Sequence, residues 1–344
     1  MKRIHMKYCF PDRRGSSRTA RAEFIAVVIL FILTVSWQCF GSEPGLKKVA
    51  LMPQWLPQAQ FAGYMVALDK GFYRESGLDV TLMRGGPSEP SMEAVRSGRA
   101  TFCTSWLSTG IQQRAAGNPI LNVGQIIQRS ALMLISKKAT KIDSPKDFEG
   151  KKIAIWEGDF RIQPLAFFRM NRLTTNVVPM YGTINLFLKG GVDAISGMWY
   201  NEYHTLLNSG LDSDELSLFF FRDDPALDFP EDGIYCLEKT YQDDPQSCAK
   251  FVQASLKGWL YAFEHTDEAL DIVMKYTDEA NVGTNRAHQK WMLARMRDLI
   301  MPTGSEADLG KLAPKNYSRV GEVLRDLGFI GMVPPFDDFY RGPK

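Results

Sequence analysis

The feature that most constrains the fold is an alternation of short apolar runs with stretches of helical periodicity between about residues 47 and 243. The apolar runs have the length of strands, and they are Val49–Met52, Val80–Met83, Ile153–Ile155 and Val192–Ile195. The stretches with helical period include Phe61–Gly71, Ser91–Gly98 and Ile184–Gly190. Strands that alternate with helices build layers of helices on a mostly parallel sheet. The sequence therefore predicts an α/β fold.

The C-terminal part of the chain has a different pattern. From about Asp244 onward the strand-like runs stop, and four stretches have the spacing of amphipathic helices. These stretches are Phe251–Phe263, Asp267–Tyr276, Arg286–Leu299 and Tyr317–Leu327. We predict a helical C-terminal region.

A helix, a glycine and a short strand occur in the same order at two places in the chain. Ser91–Gly98 precedes the strand-like Arg99–Phe102, and Asn185–Gly191 precedes Val192–Ile195. The chain has 344 residues, which is more than a single domain usually contains. We therefore predict two similar lobes, built one after the other along the chain.

The N-terminus has the pattern of an export signal. An uncharged apolar run, Phe24–Trp37, follows a basic segment. Residues 1–41 contain seven of the 41 Lys and Arg residues of the chain and only two of its 39 Asp and Glu residues. Such a run matches a secretory signal and is shorter than the ~20 residues that span a bilayer. We predict a signal peptide over residues 1–41 with cleavage after Gly41, and an uncleaved membrane anchor is the alternative. The remainder is slightly acidic, which argues against binding to nucleic acid.

A longer motif connects the chain with a known family. The segment Gln54–Tyr64 is followed at Ala67–Val80 by the pattern Ala-x-x-Lys-Gly-Phe-Tyr-x-x-x-Gly-Leu-x-Val, and further matches occur at Gly85–Pro87, Gly117–Pro119 and Asp147–Ile153. On these segments the chain resembles the extracytoplasmic solute-binding proteins of ABC importers. The group in question includes binders of thiamine pyrimidines, riboflavin, sulfonates and nitrate.

The resemblance implies a two-lobed periplasmic-binding-protein fold of type II, in which each lobe is a mixed, mostly parallel sheet flanked by helices. It places lobe 1 at residues 46–131 plus about 245–344, and lobe 2 at about 132–244. The implied function is capture of a small heteroaromatic nutrient by lobe closure and its delivery to an ABC permease in the membrane. We expect an exported monomer, in the periplasm or on the outer face of the cytoplasmic membrane, which uses no cofactor.

The same group shares its fold with thiamine-pyrimidine synthases, which hold pyridoxal phosphate on a lysine and consume a histidine four residues later. Alignment of the flanking motifs places Ser105 at the lysine position and Thr109 at the histidine position. A hydroxyl group cannot form the Schiff base, and threonine has no imidazole to supply. An enzyme of this type is therefore the disfavoured alternative. A sulfonate or nitrate binder ranks second, because the chain has more aromatic residues than a small anion needs, and a sensor module for a membrane kinase is a third possibility.

Aromatic residues follow several of the predicted strands, where an open α/β sheet binds its ligands. They are Trp55, Trp106, Trp156, Trp199 and Tyr200. A planar heteroaromatic ligand gains about 0.5–1.5 kcal/mol for each ring pair beyond burial. We predict that these rings line one cleft, and the alternative is that they belong to the hydrophobic core.

Polar residues and close backbone complete the predicted ligand site. The candidates are Gln60, Tyr64, Gly85, Gly86, Ser105, Glu157, Asp159, Glu202 and Tyr235. Among them, Glu202 is suited to accept a hydrogen bond from an amino group of the ligand, with a solvated acid at a helix start as its alternative.

Motifs of catalysis and metal binding are missing from the sequence. It contains no His-x-x-x-His, Cys-x-x-Cys, Gly-x-Ser-x-Gly or phosphate-loop pattern. We therefore expect no catalytic residue and no metal site. Cys236 and Cys248 are candidates for a disulfide, but the odd number of cysteines after cleavage favours buried free thiols.

Overall fold

The computed structural model describes residues 45–343. The predicted signal peptide over residues 1–41, its cleavage after Gly41 and the alternative membrane anchor all lie outside the described residues. No helix within residues 45–343 combines the length and the apolar character that a membrane crossing requires.

Ten strands form two sheets of five strands each in the described part of the chain. The strands are β1 (Lys47–Met52), β2 (Leu78–Leu82), β3 (Phe102–Trp106), β4 (Ile120–Gln125), β5 (Leu132–Lys137), β6 (Lys152–Trp156), β7 (Asn176–Met180), β8 (Ala194–Met198), β9 (Leu216–Phe220) and β10 (Asp232–Leu237). The first sheet has the order β2-β1-β3-β10-β4, and the second has the order β7-β6-β8-β5-β9.

Both sheets are mixed and mostly parallel, as predicted. In the first sheet β1 is parallel to β2 and β3, while β10 is antiparallel to β3 and β4. In the second sheet β6 is parallel to β7 and β8, while β5 is antiparallel to β8 and β9. Each sheet therefore has one antiparallel strand, which comes from the segment where the chain passes from one sheet to the other.

Helices cover the faces of these sheets. They are α1 (Ala62–Asp69), α2 (Phe72–Glu75), α3 (Ser91–Arg96), α4 (Leu107–Ala115), α5 (Ile162–Met170), α6 (Asn185–Leu188), α7 (Glu202–Asn208), α8 (Glu238–Asp243), α9 (Pro245–Glu264), α10 (Thr266–Glu279), α11 (Arg286–Ile300), α12 (Pro314–Asp326) and α13 (Phe336–Phe339). The repeated helix-glycine-strand unit corresponds to α3 with β3 and to α6 with β8, and β3 and β8 occupy the same position in their sheets.

The motif at Ala67–Val80 is a helix, two left-handed turns and a strand. Gly71 (φ 77°) separates α1 from α2, and Gly77 (φ 82°) leads into β2. Residues with a Cβ atom are strained at such positive φ values, so the chain direction here depends on glycine. The turns bring β2 alongside β1, where Val49 lies opposite Val80 in the parallel register.

The C-terminal helices pack against the first sheet and form the predicted helical region. The Phe251 ring of α9 stacks on Phe102 of β3 at a centroid distance of 4.1 Å and on Tyr73 at 5.1 Å. Trp259, also on α9, is fully buried and contacts the edge of Tyr64 at 6.0 Å. These rings join α9 to the first sheet through one continuous apolar core.

The bounds of the two predicted lobes, 46–131 with about 245–344 and about 132–244, stay a prediction. Strand β10 lies within the range 132–244 by sequence, but it pairs in the first sheet. The three described cysteines, Cys103, Cys236 and Cys248, are buried free thiols, as the sequence favoured.

Candidate functional site

A cavity of about 370 Å³ is lined by residues that follow strands of both sheets. Gln54 and Trp55 follow β1, and Ser105 belongs to β3 of the same sheet. Trp156 ends β6, and Glu202 lies four residues after β8. Ligands of α/β sheets bind at the carboxyl ends of strands, and ligand pockets usually measure about 300–1,000 Å³. Position and size therefore make this cavity the candidate ligand site.

One wall of the cavity is aromatic. The rings of Trp55 and Trp156 meet edge to face with centroids 6.2 Å apart, and Phe160 lies 6.4 Å from Trp55 and 6.0 Å from Trp156. Trp55 belongs to the first half of the fold, which is the first sheet with its helices and the C-terminal helices. Trp156 and Phe160 belong to the second half, which is the second sheet with its helices. The wall therefore crosses from one sheet to the other, and it offers apolar ring surface to a flat ligand.

A buried carboxyl group fixes two glutamines that line the cavity. Asp232, the first residue of β10, accepts hydrogen bonds from the Gln54 amide and from Gln60 Nε2, the latter at 2.9 Å. Gln58 Nε2 in turn donates to Gln60 Oε1 at 2.7 Å. Burial raises the pKa of Asp232 to about 7, and the hydrogen bond from Gln60 opposes this rise. The three amides are thus held in fixed orientations by one acid.

Glu202 supplies a second buried carboxyl group, at the start of α7. Its Oε2 accepts a hydrogen bond from the Met198 backbone N–H at 2.7 Å, and its Oε1 accepts one from Asn201 Nδ2 at 2.8 Å. Burial raises the pKa of Glu202, although these donors favour the ionised form. The side chain lines the cavity and is thereby placed to accept a hydrogen bond from a ligand.

A hydrogen-bond cluster joins the two halves of the fold beside the cavity. Thr109 Oγ1 and Gln112 Nε2 of α4 both donate to the Asp159 carboxylate, the second at 3.1 Å. Burial raises the pKa of Asp159, and the donors lower it in part. Since α4 follows β3 and Asp159 follows β6, these bonds hold the two sheets together at the edge of the cavity.

Half of the predicted site residues line the cavity in the structure. These are Trp55, Gln60, Gly86, Ser105, Trp156, Tyr200 and Glu202. The other seven, which do not line it, are Tyr64, Gly85, Trp106, Glu157, Asp159, Trp199 and Tyr235.

Core packing explains the place of three of these seven. Tyr64 packs on Trp259, and Tyr235 lies under α4 and against Phe339. Trp106 is 4% exposed and packs on Phe160 at a centroid distance of 4.4 Å, one ring behind the cavity wall.

The remaining four contact other groups close to the cavity. Trp199 is held between the guanidinium groups of Arg222 and Arg295, at 4.0 and 4.5 Å from its ring. The Glu157 carboxylate lies 3.5 Å from the Arg161 guanidinium on the surface. Gly85 lies against the Pro53 carbonyl, which a Cβ atom would meet at 2.1 Å, and Asp159 forms the cluster described above.

Several residues of the candidate site were not predicted from the sequence. Gln54, Phe160 and Asn201 line the cavity, and Asp232 holds two of its glutamines. The signal for Asp232 was an acid at the start of the apolar strand of Tyr235, which is an unusual place for a carboxyl group. Gln54, Phe160 and Asn201 are direct sequence neighbours of predicted residues, so they could have been predicted from their position after the same strands.

Comparison with known proteins identifies the family. The model of the NMT1/THI5 like family matches residues 58–269. The formylaminopyrimidine-binding protein of Halalkalibacterium halodurans is 24% identical over 269 residues, which are 75% of this chain and 79% of that protein. The riboflavin-binding protein RibY of Chloroflexus aurantiacus is 26% identical over 313 residues, which are 84% of each chain.

An enzyme is also among the relatives, but it matches a smaller part of the chain. The 4-amino-5-hydroxymethyl-2-methylpyrimidine phosphate synthase of Legionella pneumophila is 26% identical over 115 residues, which are 33% of this chain and 35% of the synthase.

Solved structures show the fold. The periplasmic aliphatic sulphonate binding protein SsuA of Escherichia coli superposes with a TM-score of 0.64 at 14% identity, over 85% of this chain and 91% of SsuA. The two mixed sheets flanked by helices and the helical C-terminal region are thus those of the periplasmic-binding-protein fold. The chain belongs to the NMT1/THI5 like family and has the periplasmic-binding-protein fold.

Proposed function

We propose that this protein is the extracytoplasmic solute-binding component of an ABC importer, and that it captures a small heteroaromatic nutrient of the pyrimidine type. The observation that carries the proposal is the cavity between the two sheets, which combines an aromatic wall with the buried carboxyl group of Glu202. The names of the formylaminopyrimidine-binding and riboflavin-binding relatives support it. The protein acts as a monomer outside the cytoplasmic membrane, uses no cofactor and hands its ligand to a permease.

The lining favours a ligand that is flat and donates hydrogen bonds. Trp55, Trp156 and Tyr200 provide ring surface, and a stacked or edge contact contributes about 0.5–1.5 kcal/mol beyond burial. Glu202 accepts from an amino group, and a hydrogen bond to a charged group contributes about 1.5–3 kcal/mol. An aminopyrimidine has both features in one small molecule.

Capture requires the two halves to close on the ligand. Because Trp55 belongs to one half and Trp156 to the other, a ligand ring that lies against the wall they form contacts both of them only in the closed form. The ligand then shifts the population toward closure by its higher affinity for that form. The bonds from Thr109 and Gln112 to Asp159 add to the same closed arrangement. No covalent bond is made or broken.

Two of the alternatives, an anion binder and a pyridoxal-phosphate enzyme, fit the lining less well. Among the described residues that line the cavity, Arg96 is the one cation, and its guanidinium lies 2.9 Å from the Glu93 carboxylate. A sulfonate or nitrate ion would therefore meet Glu89, Glu93 and Glu202 with little compensating charge. For a pyridoxal-phosphate enzyme, the hydroxyl group of Ser105 stands where the related synthases have their lysine.

A ligand screen tests the proposal. Thermal unfolding of the purified protein is followed with formylaminopyrimidine, riboflavin, aliphatic sulfonates and nitrate, and its absorbance is recorded after incubation with pyridoxal phosphate. We expect the formylaminopyrimidine to raise the melting temperature and no aldimine band to form. Stabilisation by nitrate or a sulfonate alone, or a new aldimine band, would contradict the proposal.

A further inference from the structure

A chain of hydrogen bonds leads from the cavity to a pair of histidines on different parts of the fold. Asn201 Nδ2 donates to Glu202 Oε1 at 2.8 Å, and Asn201 Oδ1 lies 3.0 Å from His288 Nε2 on α11. His288 Nδ1 lies 2.8 Å from His204 Nδ1 on α7. Glu202 and Asn201 line the cavity, whereas the two histidines lie behind it.

The proton positions follow from the first bond of this chain. Because the Asn201 amide donates to Glu202, its oxygen faces His288, and His288 Nε2 must carry the proton that it donates. A neutral His288 then has an unprotonated Nδ1, so the His204 Nδ1–H donates to it. The exposed Asn208 has its Nδ2 3.2 Å from His204 Nδ1, and a half turn of this amide directs its oxygen toward the His204 N–H. In that orientation all bonds are satisfied while both rings are neutral.

Helix α11 contacts both walls of the cavity through neighbouring residues. Gln289 Oε1 accepts a hydrogen bond from the Ala59 backbone N–H at 2.6 Å, next to Gln60 of the first half. His288, one residue earlier, holds Asn201 of the second half. The bond of Gln289 lies within the first half, so it is kept when the halves separate. The bonds of His288 to Asn201 and His204 join the two halves, so separation breaks them.

The surroundings of the histidine pair favour the neutral form. Trp291 stacks on His204 at a centroid distance of 4.9 Å, and the Arg295 guanidinium lies 4.7 Å from the Trp291 ring. Burial, followed by the proximity of His204, lowers the pKa of His288 to about 4, and burial lowers the pKa of His204. In this series of hydrogen bonds the carboxylate is that of Glu202, and the Asn201 amide separates it from the histidine rings.

We propose that His288 is a positioning residue of the ligand cavity: it holds Asn201, and through it Glu202, when the halves are closed, and protonation of the histidine pair releases them. The inference rests on the proposed function, since it assigns a cause of pH dependence to the same ligand site. It makes α11, which lies outside the predicted site, part of the closing device.

The sign and the size of the effect follow from the two states. In the closed form the pKa of His288 is about 4, and in an open form with an exposed ring it has the ordinary value of 6.5. Neutral His288 therefore stabilises the closed form fully above pH 6.5, and this stabilisation decreases as the pH falls toward 4. At pH 5 these values give an affinity about 30-fold lower than at pH 7.5 from this group alone.

Calorimetric titration with formylaminopyrimidine at pH 7.5 and pH 5.0 tests the inference on three proteins. From pH 7.5 to pH 5.0 the affinity of the wild type is expected to fall by a factor about 30 times larger than that of His288→Gln, because glutamine keeps a donor for Asn201 but does not titrate. His265→Gln, whose ring stacks on Tyr261 away from the cavity, is the matched control and is expected to follow the wild type. Asp232, Glu202 and His204 are present in all three proteins, so the comparison isolates the contribution of His288.

The outcomes separate this inference from the proposed function. Equal loss of affinity in the wild type and His288→Gln, or no loss in the wild type, overturns the inference and leaves the binding function intact. If formylaminopyrimidine and riboflavin both fail to bind at pH 7.5, the proposed function fails, and the inference, which rests on it, is overturned with it.

Discussion

The buried carboxyl group of Asp232 makes the stability of the protein depend on pH. Its pKa is about 7 in the folded protein and 3.8 in the unfolded chain, because burial disfavours the charged form. The folded state therefore holds the proton over this interval while the unfolded state has lost it, so stability falls as the pH rises from 3.8 to 7. At about 1.36 kcal/mol per pH unit, the loss between pH 5 and pH 8 is about 3 kcal/mol.

Replacement of Asp232 by asparagine removes this titration and keeps the shape of the side chain. We expect urea unfolding to show that Asp232→Asn loses about 3 kcal/mol less stability than the wild type between pH 5 and pH 8. Asp243→Asn, in which the removed carboxyl group is on the surface and 60% exposed, is the matched control and should follow the wild type. Equal losses of stability in Asp232→Asn and the wild type over this interval would contradict the role of the Asp232 carboxyl group.

Three further predictions concern the cavity, the contact between the halves and the core. Glu202→Gln should weaken binding of formylaminopyrimidine about tenfold, or about 1.4 kcal/mol, in a calorimetric titration, whereas the surface variant Glu157→Gln should leave the affinity unchanged. Equal affinities of the two variants would show that Glu202 does not bind the ligand. Thr109→Val deprives the buried Asp159 of a donor and should weaken binding by about 1 kcal/mol in the same titration, and unchanged affinity would refute its role in closure. Phe251→Ala should lower the free energy of unfolding by about 3–5 kcal/mol in urea, and a loss below 1 kcal/mol would contradict the core stack.

The fold could be predicted in detail because its signals are local. The run Val49–Met52 lies within β1, Ile153–Ile155 lies within β6, and the helix predicted at Arg286–Leu299 is α11 less its last residue. The run Val192–Ile195 overlaps only the start of β8, since the strand continues through Gly197 to Met198, where the apolar pattern is interrupted. Periodicity finds elements, but their ends depend on pairing with neighbours.

The candidate ligand cavity could be predicted only in part, because neighbouring residues just after a strand point to different sides. Trp156 lines the cavity while Glu157 reaches solvent, and Tyr200 lines it while Trp199 is packed between two arginines. The sequence places each pair at the end of a strand but does not tell which member faces inward.

Long-range pairing explains why the role of Asp232 could not be predicted from the sequence. Asp232 lies more than a hundred residues after Trp106, yet it is directly opposite Trp106 in the antiparallel pairing of β10 with β3. Its role in holding Gln54 and Gln60 depends on this return of the chain to the first sheet. No spacing along the chain reveals such a contact.

Calorimetric titration of formylaminopyrimidine into the wild type and Trp156→Ala tests most directly whether the space between the two sheets is where a flat nutrient is held. We expect one molecule to bind per wild-type chain and the variant, which folds with the same melting temperature within a few degrees, to bind about tenfold more weakly. Identical affinity in the two proteins would show that the ligand is held elsewhere and would contradict the proposed site.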